Sequence, residues 1–169
     1  MLAETRGTMN EPNSQEQNPV PIQRVIELQP LSREHHHALM FCWKVKQGLK
    51  QRVATERIRQ YRDWIWTNEI QQHFKIEEQY VFTVLGASHP LVIQATQEHT
   101  QLQQLFEDKA NLLQSLEQLH QLLHKHVRFE ERILFNQIQN TATHQQLEII
   151  AQTHNVDVCD NWPDKFWVV

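Results

Sequence analysis

The chain has 169 residues, enough for one domain with a sizeable core. Three Gly and six Pro are few, and plentiful Glu, Gln, Leu and Lys lean the composition toward helix. A net charge of -4 with no clustered Lys/Arg face leaves no footprint for nucleic acid, and there is no apolar run long enough to span a bilayer.

Residues 1–22 are polar, carry Pro12, Pro19 and Pro21, and read as a flexible segment ahead of a domain over 23–169. They contain no apolar leader, and Cys42 and Cys159 form no Cys-x-x-Cys pair, so both read as reduced thiols of a cytoplasmic protein. Ser32 is placed to N-cap a first helix running to about Gln51, past a weak point at Gly48. Thr55 is placed to cap a second helix to about Leu85, stopped near Gly86. Pro90 suits the first turn of a third, which reaches about Asp108. Leu112, Leu113, Leu116, Leu119, Leu122 and Leu123 recur at helical spacing in a fourth, from about Asn111 to Gln139. Thr143 caps a short fifth helix to about Thr153. The tail carries Trp162, Phe166 and Trp167, too much aromatic area to leave in water, and is expected to dock back on the helices. Together these elements predict an all-α protein: an up-down four-helix bundle with a short fifth helix and an aromatic C-terminal tail.

Eleven histidines stand out, and their positions carry the chemistry. The second helix contains His73-Phe-Lys-Ile-Glu77-Glu-Gln-Tyr-Val-Phe82, and the fourth contains His126-Val-Arg-Phe-Glu130-Glu-Arg-Ile-Leu-Phe135. Each reads His, apolar, basic, apolar, Glu, Glu, polar, apolar, apolar, Phe. Residues four apart share a helix face, with Cβ atoms roughly 5–6 Å apart, so one helix can offer a His and a Glu to the same ion or ion pair. One His-x-x-x-Glu is as well read as a solvated helix contact. Two copies in one apolar frame argue for a site.

The third helix offers Glu98-His99, followed by Leu102, Leu105 and Phe106, and the first offers Glu34-His35-His36-His37, followed by Leu39, Cys42 and Trp43. Setting His36 on His99 matches Leu39 with Leu102 and Trp43 with Phe106. Setting His35 there matches the preceding Glu but puts Ala38 against Leu102. The frame favours His36, with His35 as competitor. Four His and two Glu suit iron or manganese, with zinc as the inorganic rival. Two carboxylates can bridge a metal pair roughly 3.5–4 Å apart. His89, His120, His124, His144 and His154 fall in turns, near helix ends or on polar faces.

Over residues 31 to 139, through SREHHHAL, HFKIEE, QEHTQL and HVRFEERILF, the chain resembles the hemerythrin-like, or HHE cation-binding, family. The resemblance implies a four-helix bundle around a non-haem di-iron centre, with His36, His73, His99 and His126 as terminal ligands and Glu77 and Glu130 as bridging carboxylates. The order His-x-x-x-Glu sets it apart from ferritin-like proteins, which use Glu-x-x-His. Oxygen-carrying members have a second His one turn along the third helix and a fourth-helix carboxylate five residues after its His. Here Leu102 and Gln103 follow His99, and Glu130 is preferred to Glu131 because it repeats the spacing of the second helix. His35, Glu78 or water stands in for the missing ligand. The implied function is binding or sensing of iron, dioxygen or nitric oxide. The alternatives are a di-iron enzyme (ferrous oxidation, peroxide breakdown, or iron and nitric oxide repair chemistry) and a helical interaction module for a protein partner with a structural metal.

Overall fold

The computed structural model describes residues 22–153 and 161–168. The expected flexible segment, apart from Ile22, lies outside the described residues, as do His154 and Cys159. Among the described residues the fold is all-helical, with five helices and no strand. None of those helices is long and apolar enough to cross a membrane.

Helix α1 (Gln29–Lys50) follows a 3₁₀ turn over Ile26–Leu28 and starts earlier than Ser32 suggests, because Pro30 fits a first turn whose N–H groups have no intrahelical partner. Ser32 is instead inside the helix, and its hydroxyl donates to Glu131 at 2.7 Å. Helix α2 (55–84) begins at Thr55 with Ala54 as its N-cap. It is interrupted by π-helical turns at Trp66–Ile70 and Glu77–Val81, and it closes in a 3₁₀ turn over Phe82–Val84. Gly86 then takes the left-handed conformation (φ 86°) that a residue with a Cβ rarely adopts. Helix α3 (Pro90–Glu107) is capped by the His89 ring, whose Nδ1 accepts the Leu91 N–H at 3.2 Å. At its far end the buried Arg62 guanidinium donates to the Leu105 and Asp108 carbonyls. Helix α4 (112–141) has a third π turn at Glu130–Leu134, and α5 (His144–Gln152) starts at the expected cap, Thr143, which forms a capping box with Gln146.

Helix α4 packs along both α1 and α3. Its buried stripe is Leu116, Leu119, Leu123 and Val127, whereas Leu113, also at helical spacing, is 54% exposed. The core falls into two apolar clusters. One is built on Phe41, Val45, Ile58, Tyr61, Trp66, Phe74 and Phe106, the other on Leu28, Leu31, Val81, Phe82, Leu134, Phe135 and Ile150. The tail docks on the first cluster as expected: Phe166 is buried, and Trp162 and Trp167 lie 5.6 and 5.5 Å from Tyr61. Gly48, read from the sequence as a weak point, makes this possible, since a Cβ there would sit 2.8 Å from the Phe166 ring. Burying the Phe166 side chain contributes about 2 kcal/mol.

Candidate metal centre

Each long helix passes from one apolar cluster to the other through a short polar stretch, and the polar stretches meet. On α1 the buried stripe runs Leu31, His35, Ala38, Cys42; on α3 it runs Ala95, His99, Leu102, Phe106. On α2, His73 and Glu77 sit between Ile70 and Val81, and on α4, His126 and Glu130 sit between Leu123 and Leu134. Six ionisable side chains, His35, His73, Glu77, His99, His126 and Glu130, therefore share one buried layer, none more than 6% exposed.

Five of the six expected ligands are brought together, and the sixth position belongs to His35 instead of His36. His36 is exposed, edge-on to His37 at 6.2 Å, and lines a cleft with Met40 and Ile65. The alignment through Leu39 and Trp43 misleads because Trp43 is 46% exposed and lies off the buried stripe. Ala38, buried in the same apolar cluster as Leu102, is its true counterpart on the stripe. Glu130, as chosen from the sequence, faces inward, and Glu131 points to the back of His35.

The layer divides into two groups of four, His35/His73/Glu77/Glu130 and His99/His126/Glu77/Glu130, with donor atoms in each group within 4.8 Å of one another. Both glutamates belong to both groups. Glu77 Oε1 lies 3.4 Å from His35 Nε2 and 3.2 Å from His73 Nε2, and its Oε2 lies 3.3 Å from His99 Nε2. Glu130 Oε2 lies 3.1 Å from His35 Nε2 and 3.3 Å from His126 Nε2. These approaches lack hydrogen-bonding geometry: all four Nε2 atoms and all four carboxylate oxygens are buried without a hydrogen-bond partner. Leaving two carboxylates so placed costs several kcal/mol per ion. A cation coordinated by the eight atoms removes that cost, and imidazole nitrogen with carboxylate oxygen is a donor set for a borderline divalent metal. The residues present thus fit a metal centre.

Behind the histidines stands a ring of four more carboxylates. Glu131, weighed from the sequence against Glu130, and Glu78, weighed as a stand-in ligand, lie on the Nδ1 side of the imidazoles. So do Glu34 and Glu98, for which the sequence reading gave no role. His35 Nδ1–H donates to Glu131 (2.7 Å), His73 to Glu34 (2.5 Å), His99 to Glu78 (2.8 Å) and His126 to Glu98 (2.7 Å). Each bond crosses to a neighbouring helix, so the ring ties α1 to α4, α4 to α3, α3 to α2 and α2 to α1. In the neutral, metal-binding form of each imidazole, this bond fixes the tautomer that leaves the Nε2 lone pair aimed inward and makes the ring a stronger donor. The signal for it was present as two Glu-His pairs (34–35 and 98–99) and two Glu-Glu pairs (77–78 and 130–131). The halves repeat: Phe82 stacks near His99 at 5.5 Å as Phe135 does near His35 at 5.2 Å, and a π turn begins at each central glutamate. Such turns occur frequently at functional sites.

The electrostatics follow from this packing. Burial disfavours the charged form of His73 and His126, but facing carboxylates outweigh it and raise each to about 9. His35 is likewise raised by Glu130, Glu131 and Glu77 against its burial. Burial works against ionisation of Glu77 and Glu130 too, yet the surrounding imidazoles hold both below the usual carboxylate range. Glu131, part-buried, is brought down to about 2 by His35, Ser32 and Arg24. Cys42 is different: burial pushes its thiol up to about 12, which rules it out as a nucleophile near neutrality. His120 and His124 line a surface cleft with Trp43, Lys46 and Arg128, away from the six.

The fold and this layer define a helical protein with a buried His/Glu cluster that could hold metal ions. Comparison with family models, with curated proteins and with solved structures gave no match.

Proposed function

We propose that the chain is a hemerythrin-like protein, its four long helices forming an up-down bundle around a non-haem di-iron centre. His35 and His73 would hold one ion and His99 and His126 the other, with Glu77 and Glu130 common to both groups. The observation that carries this reading is the set of eight inward, buried, unpartnered donor atoms shared by two groups of four. Manganese fits the same atoms, and zinc fits each half less well because the glutamates are shared.

When bound, a ferrous pair supplies a place for dioxygen, nitric oxide or peroxide to bind, and the proposed role is to bind or sense iron or such a ligand. The chain's own part is to hold and shield. Glu34, Glu78, Glu98 and Glu131 orient the imidazoles; Phe74, stacked on His99 at 3.8 Å, and Phe135 and Phe82 keep the layer dry. Apolar walls of this kind limit water access and tune the potential of a metal centre.

Elemental analysis of protein purified without air, with visible spectra before and after adding dioxygen or nitric oxide, tests the proposal. About two irons per chain and a spectral change with either gas are expected. Turnover of peroxide would move the reading to an enzyme. One zinc and no response to gas would make the metal structural and the chain an interaction module.

A further inference from the structure

The two halves of the layer repeat in sequence, but they are closed to different degrees. Glu131, behind His35, is 14% exposed, and Arg24 seals it: the guanidinium donates to its carboxylate (2.8 Å) and its carbonyl (2.6 Å), and to Asn136 and Gln139. Arg24 also lies over the Phe135 ring that stacks on His35. Ser32 donates to the same carboxylate. Glu78, the counterpart of Glu131 behind His99, is 46% exposed, and no cation among the described residues caps it. The repeat explains the difference. Moving from His35 to His99, Arg24 maps to Ser88 and Ser32 to Thr96, both exposed and both without a group that reaches Glu78.

The geometry points to Glu78 as the mouth of the site: an exposed carboxylate that takes up a hydrated divalent cation beside His99, so that the His99/His126 position fills and empties ahead of the His35/His73 position. The inference rests on the two-metal reading above. A carboxylate in water attracts a divalent cation and can replace part of its hydration shell before burial, which lowers the cost of moving that charge inward. The His99 ring that Glu78 holds at Nδ1 carries the unpartnered Nε2 on its other edge, 3.3 Å from Glu77 and 3.9 Å from Glu130. At the other half the same approach meets the Arg24 guanidinium, a fixed positive charge already occupying the carboxylate.

The test is uptake of Co²⁺ by metal-free full-length protein, followed by cobalt absorption and by elemental counts. Two phases are expected, about one ion per chain in each. Glu78→Gln is expected to slow the fast phase about tenfold, comparable with the low end of what losing the outer partner of a metal-binding His costs in affinity. Glu131→Gln removes the equivalent partner of His35, so it controls for lost orientation: it is expected to slow the slow phase and to change the fast phase less than Glu78→Gln does. Arg24→Ala is expected to quicken the slow phase. Circular dichroism identifies variants that fold. Two ions taken up with equal effects of E78Q and E131Q, or with no effect of either, would overturn the inference and leave the two-metal reading standing. Failure of the wild-type chain to take up two ions would overturn that reading itself.

Discussion

Replacing both central carboxylates by their neutral isosteres, Glu77→Gln with Glu130→Gln, separates the metal from the fold. In the metal-free protein each glutamate is fully buried and balanced only by imidazoles, and Glu77 and Glu130 repel one another. Converting both to amides removes two buried charges together with the reason for the histidines to carry protons, so the metal-free variant should melt close to the wild type. The effect appears on adding metal. A site at a free-ion concentration a thousandfold above its Kd adds about 4 kcal/mol, so two sites add about 8 kcal/mol. At roughly 2–4 °C per kcal/mol for a chain of this size, the wild-type melting temperature should rise by about 16–32 °C. The double variant should show a rise of at most a few degrees. Scanning calorimetry with and without Mn²⁺ or Fe²⁺ under nitrogen reads this directly. A full metal-dependent shift in the double variant would refute the assignment of these carboxylates.

Other outcomes follow from the same geometry. His35→Ala should lower metal affinity by a hundredfold or more while His36→Ala leaves it unchanged, measured by competition with a chelating dye; the reverse order would restore His36 as the ligand. The metal-free protein should lose stability in alkali. His73 and His126, raised from 6.5 to about 9 in the folded state, stabilise it fully below pH 6.5, and that contribution fades as pH rises through 9. Glu131, lowered from 4.5 to about 2, acts in the opposite direction, its contribution being present above pH 4.5 and lost as pH falls toward 2. Urea titrations from pH 3 to 10 should therefore show a maximum near pH 4.5–6.5, and a flat profile between 6.5 and 9 would contradict the raised histidines. Gly48→Ala should cost about 1–3 kcal/mol by driving a methyl into the Phe166 ring. Tryptophan fluorescence should report release of Trp162 and Trp167 from Tyr61; an unchanged spectrum and stability would mean that the tail is not held there.

Much of this fold was legible because helical periodicity and turn chemistry agree along the chain. Pro90, Gly86 and Thr143 mark helix ends that the structure keeps, and the His-x-x-x-Glu-Glu repeat marks the two inward faces. The start of α1 was less legible because two signals competed, and Pro30 outweighed Ser32, whose hydroxyl serves Glu131. The choice between His35 and His36 failed for a packing reason: hydrophobicity alone ranks Leu39 and Trp43 above Ala38 as core positions, while the buried stripe passes through Ala38 and leaves Trp43 46% exposed. The outer carboxylates were hidden because sequence spacing describes one helix at a time, and each of those hydrogen bonds joins two. The difference between the sealed and open halves was hidden for the same reason, since Arg24 and Glu131 are far apart in the chain and meet only in the fold.

In the proposed centre two ions share Glu77 and Glu130 inside this layer. Anomalous X-ray diffraction from crystals of the iron- or manganese-loaded protein tests it most directly. Two anomalous peaks are expected, one beside the Nε2 atoms of His35 and His73, the other beside those of His99 and His126, with both glutamates touching both. A single peak, or peaks only at surface histidines such as His120 and His124, would contradict it.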